Sequence, residues 1–493
     1  MDVSTPLDQH DPEASSLCRP ENRRYLLAAA ILASALGFID GSIVAIALPA
    51  MRMSLGATLV EAQWVSNAYM LSLSALILVG GSAGDRFGLA RVFGGGIALF
   101  VAASMACAFA PNADFLIVAR AVQGLGAAFM VPGSLAVISR AYPPAERGKA
   151  IGIWAAAAAV TSALGPIIGG VALTFGDVDI WRWIFAVNLP LGLLALFLLC
   201  SKIDHDPSQP ERGIDVPGGL AAVLGLGLIA WALTGAEHGE RISHTNVIYA
   251  ISGLTSLVLF VFIELRSPNP IVPLSLFQNS RFTIANVVSF GIYFSFSAVL
   301  MYLPMLVVGG WGLSEITTSA AYAPLSVFIA LLSGVSGRLA DRFGPSPLLI
   351  SGALVLATGY AILALVIPTQ NFWGAVMPAM CLQGIGMGLL VAPLSTSVMG
   401  AVSKHSTGTA SGINNAVIRM SSLIAVAFMG SVVAVGYGAA DGPASFGVIM
   451  QDPGHTAASN AAFIKVSWGA CLVCLASVAM TVYGAWGKPR FGS

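Results

Sequence analysis

Fourteen long apolar runs, separated by shorter polar breaks, make up most of the chain. They cover residues 25–48, 62–80, 91–110, 115–138, 148–173, 183–200, 216–235, 246–264, 283–308, 317–337, 347–367, 373–398, 409–435 and 463–485. A helix that crosses a bilayer needs about 20 mainly apolar residues, and each run has roughly that length. The breaks are charged or rich in Pro and Gly. The pattern predicts an all-α polytopic membrane protein with 14 transmembrane helices. The longest polar breaks are 201–215 and 436–462, and none is long enough for a separate soluble domain.

Composition agrees with this reading. Hydrophobic residues make up 57% of the 493 and charged residues 9%. Soluble domains carry roughly a quarter charged residues, so the solvent for this surface is lipid. Formal net charge is zero and argues for no nucleic-acid partner. Residues 1–24 are polar and the first apolar run has no evident cleavage site, so no signal peptide is expected. Of the six cysteines, Cys471 and Cys474 have CxxC spacing but no His or acidic neighbour, and are expected to be small packing residues.

Orientation follows from the loop cations. With the N-terminus inside, 17 of the 23 Lys and Arg residues fall in inner loops and tails, and only Arg52, Arg182, Arg241 and Lys465 fall outside. The expectation is a cell-membrane protein with both termini cytoplasmic, and with Trp181 and Trp183 marking the outer interface.

Two sequence echoes indicate duplication. Asp85-Arg86-Phe87-Gly88 after the second run recurs as Asp341-Arg342-Phe343-Gly344 after the tenth, 256 residues on. Gln123-Gly124-x-Gly126 in the fourth run recurs as Gln383-Gly384-x-Gly386 in the twelfth, 260 residues on. Duplicated halves of six helices are the plan of one large transporter class. The expected division is a tail (1–24), a six-helix bundle (25–200), a linker with two added helices (201–280), a second six-helix bundle (281–485) and a tail (486–493), the bundles related by a pseudo-two-fold axis.

These residues resemble the major facilitator superfamily, and within it the fourteen-helix drug:proton antiporter branch. Gly81-x-x-Gly84-Asp85-Arg86-x-Gly88-x-x-Arg91 looks like the family's loop motif, and Arg120-x-x-Gln123-Gly124-x-Gly126 like its helix 4 motif. Gly165-Pro166-x-x-Gly169-Gly170 looks like the helix 5 antiporter motif, and Asp40 with Ala47-Leu48-Pro49 like the helix 1 motif of the branch. The chain has Ala155, Ala159 and Thr161 where members often carry further glycines. The resemblance implies proton-coupled export of small hydrophobic or amphiphilic compounds by alternating access, by a monomer whose partners are substrate, protons and lipid, with no cofactor and no metal. Proton-coupled uptake stays open as the alternative.

Asp40 and Arg120 are single charges inside apolar runs, where charge is costly and functional by default. Asp40 lies ~15 residues into the first run, ~22 Å at 1.5 Å per residue, and Arg120 ~5 residues into the fourth from the opposite side. In a core about 30 Å thick they fall at similar depth. Burial disfavours a carboxylate and a guanidinium favours it, so a contact that changes between states binds and releases a proton. A structural ion pair is the other reading. Met380 replaces Arg120 in the second repeat, and Ser295 or Phe296 falls near the Asp40 position. Arg419, with Asn414 and Asn415, is a candidate for an anionic substrate group or a helix–helix anchor. Gln123 and Tyr293 complete the candidate cavity, and Trp64, Tyr69, Trp154, Phe294, Tyr302 and Tyr322 are weaker aromatic candidates. Asp85, Arg86, Asp341 and Arg342, with Gly88, Arg91 and Gly344, are read as conformational gates. Gly165, Pro166, Gly169 and Gly170 are read as a tight, leak-resistant interface. No GxxxxGK[ST] phosphate loop, selectivity filter or clustered catalytic set is visible, which disfavours an ATP-driven pump, a channel and an enzyme.

Overall fold

The computed structural model describes residues 17–204, 206, 208, 213, 215–234, 244–403 and 406–486. Residues 1–16 and 487–493 of the expected tails, and Arg212, Arg241, Lys404, Lys488 and Arg490 of the charge pattern, lie outside the described residues.

Fourteen helices among the described residues are long and apolar enough to cross a membrane. They are α1 (Pro20–Leu55), α2 (Leu59–Phe87), α3 (Leu89–Ala108), α4 (Ala113–Ala141), α5 (Ala145–Phe175), α6 (Trp181–Lys202) and α7 (Val216–Thr234). The rest are α8 (His244–Arg266), α9 (Ser280–Gly310), α10 (Glu315–Phe343), α11 (Pro345–Thr369), α12 (Phe372–Gly400), α13 (Thr407–Gly438) and α14 (Pro453–Gly484). Each coincides with one expected run, and most extend beyond it into the flanking polar turns. Thr58 and Glu61 form a reciprocal capping box on α2.

The largest difference is at α14, which begins at Pro453 and shortens the expected 436–462 loop to 439–452. Its first turns are polar, so hydropathy misses them. Asp452 accepts from the His455 backbone N–H at 2.8 Å, and the Thr456 hydroxyl donates to the Gly310 carbonyl at 2.7 Å.

The duplication is visible in the packing. α4 is clasped by α2 and α3, and α12 by α10 and α11. The echoed glycines make both clasps possible. A Cβ at Gly124 would lie 3.0 Å from Tyr69 Cα, and one at Gly126 2.8 Å from Phe100 Cα. In the second half a Cβ at Gly384 would lie 3.0 Å from Leu325 Cα, and one at Gly386 3.0 Å from the Gly352 carbonyl. Without side chains, the backbones approach closely and gain dispersion contact. The remaining helices repeat as well: α1 packs on α5 and α6, and α9 on α13 and α14.

The halves meet along two seams, α2 against α13 and α5 against α10. Duplication maps each seam onto the other. The added pair covers the first seam: α7 packs on α2 and α13, and its Trp231 ring lies 5.1 Å from that of Trp64. α8 packs behind α7 and leaves Ile251, Leu254 and Val258 facing outward.

Among the described residues, the fourteen spans leave the start of α1 and the end of α14 on one side, here called the termini side; the other is the far side. On the termini side, Asp204 accepts from the Arg19 backbone at 2.8 Å, and burial beside Asp204 pushes the Cys18 thiol up to about 11. Cys471 and Cys474 are buried free thiols. Trp181 is fully buried while Trp183 is exposed, so only Trp183 occupies the outward position expected of both.

Candidate functional site

Asp40 and Arg120 meet inside the first half. The Arg120 Nη1 donates to Asp40 Oδ2 at 2.6 Å, and both side chains are shut away from solvent. Gln123 lies one turn from Arg120 on the same face of α4. It accepts from Arg120 Nη1 at 2.7 Å and donates to Asp40 Oδ1 at 2.9 Å. Each carboxylate oxygen therefore has its own donor. The Arg120 Nε donates to the Val65 carbonyl of α2 at 3.0 Å. Gln123 also donates to the Ser104 hydroxyl of α3 at 3.1 Å, and Ser104 accepts from Asn188 of α6 at 2.7 Å. The guanidinium lies 4.4 Å from the Tyr69 ring centroid and 5.6 Å from that of Phe185. Five helices thus hold one ion pair, as a buried charge requires.

Gln123 was expected in the cavity wall. It lies instead in this buried network, because both ends of its amide are taken by Asp40, Arg120 and Ser104. Ser104 and Asn188 were missed by the sequence reading; their only signal was a single polar residue in an apolar run.

The cavity itself lies between the halves, on the termini side of that pair. It has a volume of about 430 Å3 and is walled by the inner faces of α1, α2, α4, α5 and α13. Tyr69 lines it and separates it from Arg120. Asn415 and Arg419 line it from α13, and Trp154 from α5, its Nε1 donating to Ser34 at 2.8 Å. Asn414 does not reach it. Its amide donates to Asn286 at 3.1 Å and Ser289 at 3.0 Å, so it ties α13 to α9. Tyr293 is not part of its lining and packs against the apolar core shared by the two halves. Of the aromatic candidates, Tyr69 and Trp154 line the cavity. The Tyr302 and Tyr322 hydroxyls donate to the Val426 and Leu300 carbonyls instead.

A larger groove of about 1350 Å3 lies between α1, α3, α5 and α6. Its wall is almost wholly apolar, and its one charged residue, Arg182, donates to the Ala108 and Ala110 carbonyls. It offers little to orient a polar ligand.

The far side is closed across the halves. Arg52, at the end of α1, donates to the Phe446 carbonyl and, at 3.2 Å, to the Ser445 hydroxyl, both in the loop before α14. Thr174 of α5 accepts from the Ile316 backbone of α10 at 2.9 Å. Beside this seal, the glycines of α5 face two ways. A Cβ at Gly165 would lie 2.6 Å from the Ser42 hydroxyl, and one at Gly169 2.7 Å from Ile43, both on α1. One at Gly170 would meet Ser319 of α10, in the other half. α5 runs unbroken through Pro166.

On the termini side, Asp85 pairs with Arg140 at 2.9 Å, and Arg86 stacks over Phe87 at 5.3 Å. Gly88 turns the chain at φ +101° and Gly344 does so at φ +80°, a region that favours glycine. The two loops then differ. The Asp206 carboxylate caps α3, accepting from Ala90 at 3.1 Å and Arg91 at 3.0 Å. Asp341 and Arg342 are exposed and make no ion pair among the described residues; Arg342 stacks over Phe343 at 5.1 Å. Among the described residues, only the first loop holds such partners.

Comparison with known proteins decides the family. The profile described as Major Facilitator Superfamily matches residues 30–427. The chain belongs to the Major Facilitator Superfamily. Among its relatives, the multidrug resistance protein Stp of Mycobacterium tuberculosis is 33% identical over 84% of this chain and 76% of its own. The puromycin resistance protein pur8 of Streptomyces alboniger is 32% identical, over 85% and 84%. The methylenomycin A resistance protein of Bacillus subtilis is 30% identical, over 82% and 87%. In fold the chain is similar to a POT family transporter solved in complex with a thioalcohol-conjugated peptide (TM-score 0.66, 13% identity, 97% and 99% covered). It is also similar to a D-xylose–proton symporter (TM-score 0.63, 18% identity, 93% and 97% covered). This Major Facilitator Superfamily chain is a transporter and not an enzyme.

Proposed function

We propose that this protein is a proton-coupled exporter of small amphiphilic compounds, in which Asp40 carries the proton and Arg120 is its exchangeable counter-ion. The observation that carries this reading is the Asp40–Arg120 pair, fully buried and one Tyr69 ring away from the cavity. A compound entering the cavity presses on Tyr69. Tyr69 moves the guanidinium, and a carboxylate left without it in a low-dielectric site takes up a proton. Proton and compound thus compete through one arginine, which is the logic of antiport. The resistance names of the relatives support export over uptake. The cation bias of the loops supports cytoplasmic termini and, with the far side closed, an inward-facing state.

The test is transport in proteoliposomes under pH gradients of both signs. The expected result is movement of compound against the proton flow, abolished in Asp40→Asn. Gradient-driven transport that survives Asp40→Asn would refute the coupling role, and co-directional movement of proton and compound would make the chain an uptake symporter.

A further inference from the structure

Among the described residues, the cavity between the halves carries a single formal charge, and it is positive. Arg419 reaches the cavity from α13, and among the described residues nothing pairs with or accepts a hydrogen bond from its guanidinium. Among the described residues, no Asp or Glu lines the space. Asp40, on the other side of Tyr69, has both oxygens committed to Arg120 and Gln123. The contrast with the other arginines of the apolar region is direct. Arg120 is neutralised by Asp40, and Arg52 has three acceptors at the far side.

An arginine cannot lose its charge in a protein. Left partly desolvated without an anion, it is a standing cost that a bound anion relieves. Its planar fork matches a carboxylate bidentately. Asn415 lies one turn before it on the same face and lines the same space, with its amide N–H donated to the Ser411 carbonyl and its oxygen uncommitted. The rest of the lining includes the apolar and aromatic side chains of Phe38, Leu73, Leu135 and Trp154.

We propose that the exported compounds are amphiphilic anions whose carboxylate pairs with Arg419 while the apolar body lies against Phe38, Leu73 and Trp154. This rests on the export reading above and narrows it. It also fixes the electrical character of the cycle. Sending a monovalent anion out while one proton enters moves two equivalents of positive charge inward, so the membrane potential drives the exchange. A monovalent cation exchanged for one proton would move no net charge.

The experiment uses the full chain in proteoliposomes and three probes on one ring: 1-naphthylacetate, its methyl ester and (1-naphthylmethyl)trimethylammonium. The expected result is that the chain binds the acid at least tenfold tighter than the ammonium. Arg419→Gln should weaken the acid tenfold or more and leave the ester within twofold, while Arg419→Lys keeps the preference for the acid. A potential negative on the termini side should speed export of the acid and not of the ammonium. The inference is overturned if the ammonium binds as tightly as the acid, or if Arg419→Gln weakens all three alike, as a mere packing anchor would. The wild-type comparison of probes needs no variant to fold. The ester separates the two claims. If it moves with the pH gradient through Asp40 and the acid is not preferred, only the anion inference fails. If its movement ignores Asp40→Asn, the export reading fails.

Discussion

Arg120 has acceptors on three sides and a ring against its face, so its charge is tolerable only as part of a set. Taking one partner from a buried ion pair costs about 3–5 kcal/mol, because the other charge stays behind, whereas replacing both is often nearly neutral. The chain contains the second solution already: at the matching place in the other half stands Met380, one turn from Gln383 as Arg120 is from Gln123. Arg120→Met alone is therefore expected to lower the midpoint of thermal unfolding more than Arg120→Met combined with Asp40→Asn. Tryptophan fluorescence melts of the single and double variants check this, and a double variant as damaged as the two singles added together would count against it. Asp40 and Arg120 were legible in the sequence because a lone charge in an apolar run has few places to go. Gln123, Asn414 and Tyr293 were not, because an amide or a phenol carries no formal charge and the sequence does not say which helix face it takes. The same blindness hid Gln63 and Asn67. They sit one turn apart on α2, buried, with the Gln63 carbonyl and both Asn67 polar atoms unpartnered. Their signal was a pair of amides at i and i+4 in a membrane run.

Among the helices, α5 carries the sharpest demand on side-chain size. Gly165 and Gly169 set it against α1 beside Asp40, and Gly170 sets it against α10 of the other half. Other glycines of α5 meet nothing: a Cβ at Gly148 or Gly152 has no atom within 4 Å. The two sets should respond in opposite ways. Gly169→Leu would drive α5 off Ile43 and open a path past the proton site, so vesicles carrying it should dissipate a pH gradient faster without substrate. Gly152→Ala should leave the leak unchanged and stabilise the helix by about 0.5–1 kcal/mol. Pyranine-loaded vesicles read the leak, and equal leaks for the two variants would argue against a sealing role. The motif glycines were readable as a packing surface, since small residues in a membrane helix have that use. That they face two different halves was not, because the direction of each face depends on how the bundles dock. The early start of α14 was hidden for a simpler reason: its first turns carry His455, Ser459 and Asn460, polar residues buried by tertiary contact.

At the scale of the molecule, a duplicated pair of seams gives the halves a natural axis for rocking, and the added helices guard only one of them. α7 lies across the α2–α13 seam, and the α5–α10 seam holds the far side shut through Thr174, Ile316, Gly170 and Ser319. Arg52 adds hydrogen bonds from a charged group, each worth roughly 1.5–3 kcal/mol, and those must break before the far side opens. Alternating access therefore requires residues 170 and 319 to separate once per cycle. A Cβ built on Gly170 lies 2.7 Å from Ser319 Cβ. A disulfide spans about 3.5–4.5 Å between Cβ atoms, so a relaxation of about 1 Å would let Gly170→Cys and Ser319→Cys join. In a background with the six native cysteines replaced, oxidation of this pair should stop transport, and reduction should restore it. Binding of naphthylacetate from the termini side should persist in the cross-linked protein, because the cavity does not include the seal. Transport that continues through the cross-link would mean that the far side opens without parting α5 from α10, and the rocking of the two halves about their shared cavity would have to be abandoned.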